Sequence, residues 1–363
     1  MSFNPTRPAV RRISPVVPPI DAEAIPVRAR TAALDALAAL SVAVGRHLGN
    51  PDLFQRPRFR TKVHSRYLDA AHGGREVERI AAAAEQRAAA GLAAVHSVRV
   101  ERLEHPDRRP CFTPDALAEL HRLLVHGDPS IPGGGGLRHA PAKVTWADGR
   151  CFAIDVAPGR PLRHHVERWH QWGTRTTSPA LDAAALSMLC LFTIHPFPDG
   201  NGRTARLLAQ CDLVAADLMP GLLLDLEGWT HHHRIEHDEA VVAAALGHWE
   251  VWGEVFARAV AETARQRITT VTEYGRLIDS AIHQAGGETV ATAVLTCLRS
   301  SPAVSAQWLR GRIPYDPERA LARLQAAGIL SPHPRLPQAV VHPESLAVLE
   351  TAYGTRPPQQ SGY

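Results

Sequence analysis

The chain has 363 residues, which is enough to bury a sizeable core and to form one large domain with one or two smaller ones. Its formal net charge is only +4, and Lys62 and Lys143 are the only lysines among its 40 basic residues, so composition does not indicate a nucleic-acid-binding protein. The five cysteines are scattered without metal-type pairs, and no apolar run reaches the ~18 residues of a membrane span. We therefore expect a cytoplasmic protein without membrane contact.

Residues 1–27 are expected to form an extended arm, because the prolines between positions 4 and 26 oppose a helix. Helical spacing of apolar residues follows over 28–48 and again over 76–94, so residues 28–110 are expected to be an N-terminal helical region. Thr113 and Pro114, a capping residue and a first-turn residue, predict another helix that runs to about residue 126.

Two short β-type runs, 142–146 and 150–156, interrupt this helical pattern. Asp148-Gly149 lies between them, and its tolerance of positive φ suits a tight hairpin turn. A lone two-stranded ribbon is only marginally stable and has unpaired edges. We predict an isolated hairpin whose free edge can bind an extended peptide, with Thr145 or Ala153 as the outward-facing position.

The rest of the chain is predicted to be almost entirely helical, with Gly286-Gly287 before a compact C-terminal part that ends in strand-like residues up to Val341. The predicted helices of this part cover 181–194, 203–218, 234–246, 249–282, 290–299, 304–310 and 317–327. The first is nearly all apolar, and the second carries Leu207, Leu208, Cys211, Val214 and Leu218, so both are expected to be buried helices.

The loop between these two buried helices, HPFPDGNGRTAR over 195–206, concentrates polar residues between apolar segments. Gly200 and Gly202 allow backbone N–H groups to approach a ligand closely. The next helix begins near Arg203, so the loop and the helix N-terminus together can bind phosphate. Arg203 and Arg206 add permanent positive charge for phosphate oxygens.

Two further side chains complete this loop. Asp199 is its only carboxylate, and one carboxylate beside phosphates is a usual arrangement for Mg²⁺ in proteins. His195 titrates near neutrality when unperturbed and can remove a proton from an attacking hydroxyl. A histidine or a pair of glycines alone is more often structural, but the combination indicates a site for a nucleotide, Mg²⁺ and a general base.

This stretch resembles the signature of the Fic family, His-x-Phe-x-Asp/Glu-Gly-Asn-Gly-Arg-x-x-Arg, at every defined position. The matching residues are His195, Phe197, Asp199, Gly200, Asn201, Gly202, Arg203 and Arg206. Weaker similarity extends to both sides of the loop. Leu120-His121 lies where Fic proteins have an early core helix, and the hairpin at 142–156 lies where they have a target-positioning flap. The aromatic residues of 249–256 lie where they have a closing helix.

The resemblance implies a protein adenylyltransferase, which moves AMP from ATP to a Ser, Thr or Tyr hydroxyl of a protein target that can be the enzyme itself. Doc-type kinases of the superfamily have lysine at the position of Gly202, so glycine there favours AMP transfer. The resemblance implies a role for each loop residue: His195 is the general base, Asp199 binds Mg²⁺, Phe197 is a buried anchor, Asn201 and the backbone of Gly200 and Gly202 hold phosphates, Arg203 orients them, and Arg206 binds the γ-phosphate.

The fold that the resemblance implies is mainly α, with a Fic-type helical core over 111–283, one β-hairpin flap, a small winged-helix-like domain over 288–350 and a tail over 351–363. Arg319 and Arg323 lie one turn apart on the would-be recognition helix, so this domain could contact DNA or a protein, and a homodimer is a further expectation. Two alternatives stay open: a winged-helix DNA-binding regulator with a Fic core, and a Fic enzyme that transfers another phosphate-containing group or acts on a small-molecule hydroxyl.

Many Fic proteins are restrained by a helix with the pattern Ser/Thr-x-x-x-Glu-Gly/Asn, whose glutamate pairs with the arginine corresponding to Arg206. Residues 65–70 match this register, but Asp69 replaces the glutamate and Ala70 the final residue, so we predict weak restraint. The histidines over 231–233, with His237, suggest a metal site, but adjacent histidines on a helix point in different directions. A solvated helix start is the favoured interpretation.

Overall fold

Helices dominate the fold, as predicted. The computed structural model describes residues 11–54, 91–104 without 92 and 103, 111–126, 131, 134–145, 149–333 and 338–352. These residues belong to two compact units, one from Met1–Leu37 and Pro57–Thr263 and the other from Ala38–Arg56 and Ala264–Tyr363. None of the described helices combines the length and the apolar character needed to cross a bilayer.

The labelled helices of the first unit lie within a few residues of the predicted ranges, apart from two that the sequence analysis omits, α3 and α6. They are α1 (Val27–His47), α2 (Pro114–Leu124), α3 (Arg160–Arg175), α4 (Ala180–Ile194), α5 (Asn201–Ala215), α6 (Leu226–His232), α7 (Arg234–Ala245) and α8 (Trp249–Gln284). Both α1 and α8 also contribute residues to the second unit.

The core of the first unit is built around α4 and α5, which pack against each other. Nearly every residue of α4 is buried, and α5 is buried along most of its length. A helix that is apolar on all sides is a core helix, which agrees with the predicted burial. The short loop between them therefore has both of its ends fixed in the core.

The predicted hairpin forms, but it is not isolated. Strand β2 (Lys143–Thr145) pairs antiparallel with β3 (Cys151–Ile154), and Gly149 before β3 has a φ of 82°. Strand β1 (Arg11–Ile13) of the N-terminal arm pairs in parallel with the other side of β3. The prediction of a lone ribbon is therefore wrong, because pairing between strands so distant in sequence leaves no local signal.

The arm between β1 and α1 is extended, as predicted, and it packs on the first unit. The Val16 amide donates to the Thr193 hydroxyl at 3.0 Å. The fully buried Asp182 of α4 accepts the amides of Ala24 and Ile25, both at 2.8 Å. A buried carboxylate that accepts several N–H groups holds the chain firmly, because each amide would otherwise lose its partner.

The second unit contains the helices and strands predicted for the C-terminal part of the chain, together with a final helix. Its elements are α9 (Thr289–Cys297), α10 (Ala306–Leu309), α11 (Pro317–Ala326), β4 (Ser331–Pro332), β5 (Val340–Val341) and α12 (Pro343–Ala352). Strand β4 pairs antiparallel with β5, and Val304 forms a bridge with Val340. The assignment of this unit to the winged-helix class stays a prediction.

Candidate active site

Helix α4 ends abruptly at His195, which has a left-handed backbone (φ 51°, ψ 62°). Its amide donates to the carbonyl of Leu191 at 2.9 Å, which closes the last turn. A left-handed backbone is unfavourable for a residue with a β-carbon, so the surrounding contacts must maintain it. This turn takes the chain out of the core helix and puts the imidazole at the start of the loop.

The electrostatic surroundings keep this imidazole neutral. Burial lowers the pKa of His195 to about 4, and the positive charge of Arg138 acts in the same direction while Asp199 opposes it. His195 is nevertheless partly exposed to solvent. A neutral imidazole that a ligand can reach is able to accept a proton at pH 7.

Phe197 and Asn201 fix the shape of the loop. Asn201 Oδ1 accepts the Phe197 amide, and Asn201 Nδ2 donates to the Phe197 carbonyl, both at 2.8 Å. The Phe197 ring is buried, as expected, and stacks on the ring of His121 with 3.7 Å between centroids. The side chain of Asn201 therefore holds the loop backbone, a contact that the sequence analysis does not predict.

The two glycines lie where a side chain would meet close neighbours. Gly200 has a φ of 80°, and a β-carbon there would lie 2.8 Å from Val125 Cγ1 and 3.0 Å from His121 Nε2. A β-carbon at Gly202 would lie 3.1 Å from Arg206 Nη1. Helix α5 begins at Asn201 without a side-chain cap from the described residues, so its first N–H groups can donate to an anion.

The charged residues of the loop lie beside this helix N-terminus. Arg206 Nη2 lies 3.7 Å from Glu227 Oε1 of α6. Burial lowers the pKa of the Arg206 guanidinium, and Glu227 opposes this effect. Arg203 stands one turn before it and is partly buried. Asp199 is exposed, and its Oδ1 accepts the Gly200 amide at 2.6 Å.

His121 of α2 contacts backbone groups through both of its ring nitrogens. Its Nε2 lies 2.8 Å from the Asp199 carbonyl, and its Nδ1 accepts the Gly135 amide at 2.8 Å. Burial lowers the pKa of His121 to about 4, so the neutral ring donates from Nε2 and accepts at Nδ1. These contacts of His121 are not predicted from the sequence, where Leu120-His121 is only a point of similarity.

Arg138 is a second residue that the sequence analysis misses. It is buried, its amide donates to the Pro196 carbonyl at 2.9 Å, and its Nε donates to the His195 carbonyl at 2.8 Å. No motif marks this arginine, which follows a run of glycines.

The histidines of α6 and α7 have separate aromatic partners. His233 stacks on Trp229 with 4.2 Å between centroids, whereas the buried His237 packs edge-on against Trp252. Among the residues that the structure describes, no three His, Cys, Asp or Glu side chains are grouped to hold a metal ion. The predicted inhibitory segment, residues 65–70, lies outside the described residues.

Comparison with known proteins identifies a family match over the part of the chain that carries the loop. Residues 111–213 match the model of the Fic/DOC family. The protein adenylyltransferase Fic of Nematostella vectensis is 34% identical over 118 residues, which is 31% of this chain and 25% of that protein. The protein adenylyltransferase Fic of Drosophila melanogaster is 35% identical over 120 residues, 32% of this chain and 23% of that protein.

The chain thus matches about a quarter of the length of these curated relatives. Among solved structures, a Fic family protein from Desulfovibrio desulfuricans G20 is 17% identical and covers 86% of this chain and 95% of its own, with a TM-score of 0.47.

Proposed function

We propose, from the premise that residues 111–213 are a Fic/DOC family domain, that this protein transfers AMP from Mg-ATP to a Ser, Thr or Tyr hydroxyl of a protein target. The observation that carries the proposal is the loop between α4 and α5, where a neutral imidazole, an exposed carboxylate and an uncapped helix N-terminus occur within twelve residues. The relatives' name, protein adenylyltransferase Fic, supports AMP as the transferred group.

His195 is proposed as the general base. The hydroxyl of the target loses its proton to the imidazole as its oxygen forms a bond to the α-phosphorus of ATP. The bond from that phosphorus to the bridging oxygen breaks, and pyrophosphate leaves. Attack at phosphorus depends mainly on in-line positioning and on charge neutralisation, so one proton acceptor is sufficient chemistry for the protein to supply.

The phosphates are proposed to lie at the N-terminus of α5. The N–H groups around Gly202 donate to them, and the Gly200 N–H, which donates to Asp199 Oδ1 in the structure, joins them only if that carboxylate turns towards a cation. The glycines leave room for that approach. Arg203 orients the phosphates and Arg206 binds the γ-phosphate, because a guanidinium matches two phosphate oxygens at once. The second hydrogen of Asn201 Nδ2 is a further donor beside this position.

The donor set fits Mg²⁺ that is shared with ATP. Asp199 is exposed and lies at the loop, and a single carboxylate with phosphate oxygens and water is a usual environment for this ion. Asp199 would hold it, and the bound cation would neutralise phosphate charge. The described residues offer no cluster of ligands for a resident transition metal near the loop.

The test is transfer of label from ATP to protein in a lysate. With ATP labelled at the α-phosphate, we expect a labelled protein band that requires Mg²⁺ and the added protein, and with ATP labelled at the γ-phosphate we expect no band beyond those of the lysate alone. His195→Ala should abolish the label, whereas His164→Ala, an exposed histidine of α3, should not change it. Label from the γ-phosphate alone would indicate kinase chemistry, and full transfer by His195→Ala would exclude the proposed base.

The pH dependence follows from the pKa of His195. Because that pKa is lowered to about 4, the base stays deprotonated at every pH above this value. The kcat/KM of transfer, which reports the ionisation of the free enzyme, should therefore persist when the pH falls from 8 to about 5 and decline only as the pH approaches 4. A decline centred near 6.5 would show that the imidazole titrates as it does in water.

The described contacts of α11 do not favour the alternative of a DNA-binding regulator. Arg323 of α11 pairs with Glu288, and Arg310 before the helix pairs with Glu318, so two of the positive charges at this helix are balanced within the second unit. DNA binding depends on positive charge that is available to phosphates. Transfer to a small-molecule hydroxyl would appear in the same assay as label that is not bound to protein.

A further inference from the structure

Arg138 joins three separate parts of the chain through one guanidinium group. Its Nε donates to the His195 carbonyl at 2.8 Å, its Nη1 to the Ala140 carbonyl at 3.0 Å and its Nη2 to the Val156 carbonyl at 2.6 Å. Ala140 lies just before β2 and Val156 just after β3, so two of the three contacts fall on the two ends of the hairpin. The third falls on the residue proposed as the base.

The choice of arginine matters for this arrangement. The guanidinium is planar and carries donors in fixed directions, so it can hold three carbonyls at once, which a lysine ammonium cannot do with the same geometry. Arg138 is buried and has no carboxylate partner among the described residues, and burial lowers its pKa. A buried cation without an ion pair is costly, and the three carbonyl contacts compensate for the lost solvation.

The backbone adds a fourth connection in the same place. The Arg138 amide donates to the Pro196 carbonyl at 2.9 Å, next to the contact with His195. The loop is thereby held at two successive carbonyls by one residue. Because His195 has a strained left-handed backbone, its imidazole direction depends on contacts of this kind.

We propose that Arg138 is a positioning residue that couples the β2–β3 hairpin to His195, so that an extended segment bound along the outer edge of β2, which no described strand covers, fixes the orientation of the imidazole. The effect of a bound segment on the imidazole rests on the proposed function. The coupling between the hairpin and His195 does not, because it follows from the contacts of Arg138. Coupling of this kind is reciprocal: a change in the hairpin must reach the loop, and a change in the loop must reach the hairpin.

Hydrogen–deuterium exchange of the full chain tests the coupling without any activity. Val144→Pro removes a hydrogen bond between β2 and β3, and we expect it to raise exchange severalfold in peptides of 192–200 as well as in the hairpin. In the Arg138→Met background, where only the backbone bond from residue 138 to Pro196 remains, Val144→Pro should raise exchange in 192–200 by a clearly smaller factor. Arg163→Met, an exposed arginine of α3, is the matched control and should leave both segments unchanged.

Two results would overturn the proposal: Val144→Pro leaves exchange in 192–200 unchanged, or it raises it by the same factor with and without Arg138. If Arg138→Met raises exchange throughout α8 as well, the variant has lost its fold, and Arg138→Lys takes its place in the same cycle. Arg138→Lys keeps the charge and the backbone bond to Pro196 but loses the planar fork, so the coupling should again be weaker than in the wild type.

Kinetics of AMP transfer separate positioning from binding. Arg138→Lys should lower kcat for target modification at least tenfold with little change in KM for ATP, because the nucleotide contacts lie on α5. A rise in KM for ATP with unchanged kcat would contradict a positioning role. If no variant, including the wild type, transfers AMP while the exchange cycle still shows coupling, the proposed function fails and the coupling stands.

Discussion

At the scale of single residues, the polar side chains around the loop divide into two groups. Asn201, His121 and Arg138 bind main-chain groups of the loop and hold its shape. The side chains of His195 and Asp199 project from the loop that these contacts hold, beside a helix N-terminus that no described side chain caps. The signature therefore specifies a backbone conformation as much as a set of reactive groups.

Asn201 offers a direct test of this division. Asn201→Ala removes two buried hydrogen bonds to Phe197 and should lower the free energy of unfolding by about 2–3 kcal/mol. Thr204→Ala, which removes a single bond from its hydroxyl to the Gly200 carbonyl, is the matched control with an expected cost of about 1 kcal/mol. Urea unfolding of the three proteins measures both values. Equal costs, or a cost for Asn201→Ala within error of zero, would contradict a role in holding the loop.

The loop itself was predictable from sequence, whereas its supports were not. The loop combines glycines, a carboxylate, arginines and a histidine at fixed spacing. These residue types directly indicate phosphate binding, Mg²⁺ binding and proton transfer. His121 and Arg138 act through backbone carbonyls and amides of distant residues, and any residue type supplies such groups. No spacing in the sequence could therefore reveal these two contacts.

At the scale of elements, the long helices follow from the periodicity of their apolar residues. Helix α3, which the sequence analysis omits, buries Leu162, Val166, Trp169 and Trp172 at helical spacing opposite a face rich in arginine and histidine, so its amphipathic pattern was available in the sequence. Strand β1 has only three residues, and its pairing with β3 is non-local.

The third strand changes which edge of the sheet is open. The Ile154 amide donates to the Ala142 carbonyl, and Val144 pairs with Phe152, so residues 142 and 144 bond to β3. In an antiparallel pair the alternate residues point their backbone groups away, so those of Lys143 and Thr145 lie on the outer edge of β2, where Arg234 Nη2 donates to the Thr145 carbonyl at 3.4 Å. Position 153 is not an edge position, because β3 has a strand on both sides.

This geometry makes Thr145→Pro the informative edge variant. It removes an outward N–H without breaking the bonds between β2 and β3, so modification of a protein target should fall at least tenfold while ATP binding is retained. Ala153→Pro lies in the central strand and should destabilise the sheet instead. Target modification and nucleotide affinity, measured on the same samples, distinguish the two results. Unchanged target modification by a folded Thr145→Pro variant would exclude pairing along this edge.

At the scale of the whole molecule, the units do not follow simple divisions of the sequence. Residues 38–56 belong to the second unit together with the C-terminal part of the chain. In this unit Phe54 packs edge-on against Tyr274 and lies under the guanidinium of Arg267. The first unit ends within α8, whereas Gly286-Gly287 marks only the end of that helix. Composition identifies where a helix stops, but the limits of a unit depend on non-local packing.

On the proposed function, control of activity is expected to depend on the charge around Arg206. This guanidinium already lies 3.7 Å from Glu227. By the family resemblance, a second carboxylate from residues 65–70 would occupy the position of the γ-phosphate, and ATP would have to displace it. Removal of a shielded charge partner changes an interaction by about 1–3 kcal/mol, which is about tenfold to a hundredfold in rate if it is expressed fully.

The side chain of Asp69 is one methylene shorter than the glutamate of the family pattern, so its reach to Arg206 should be incomplete and the restraint partial. We therefore expect Asp69→Ala to raise the initial rate of AMP transfer only severalfold, and Asp69→Glu, which restores the longer acid, to lower it below that of the wild type. The opposing signs matter, because general damage to the fold would lower both rates. Initial rates of AMP transfer by the three proteins at one ATP concentration test whether Asp69 restrains the enzyme. Equal rates would show that residues 65–70 do not restrain it. Control would then depend on another chain or on the supply of target.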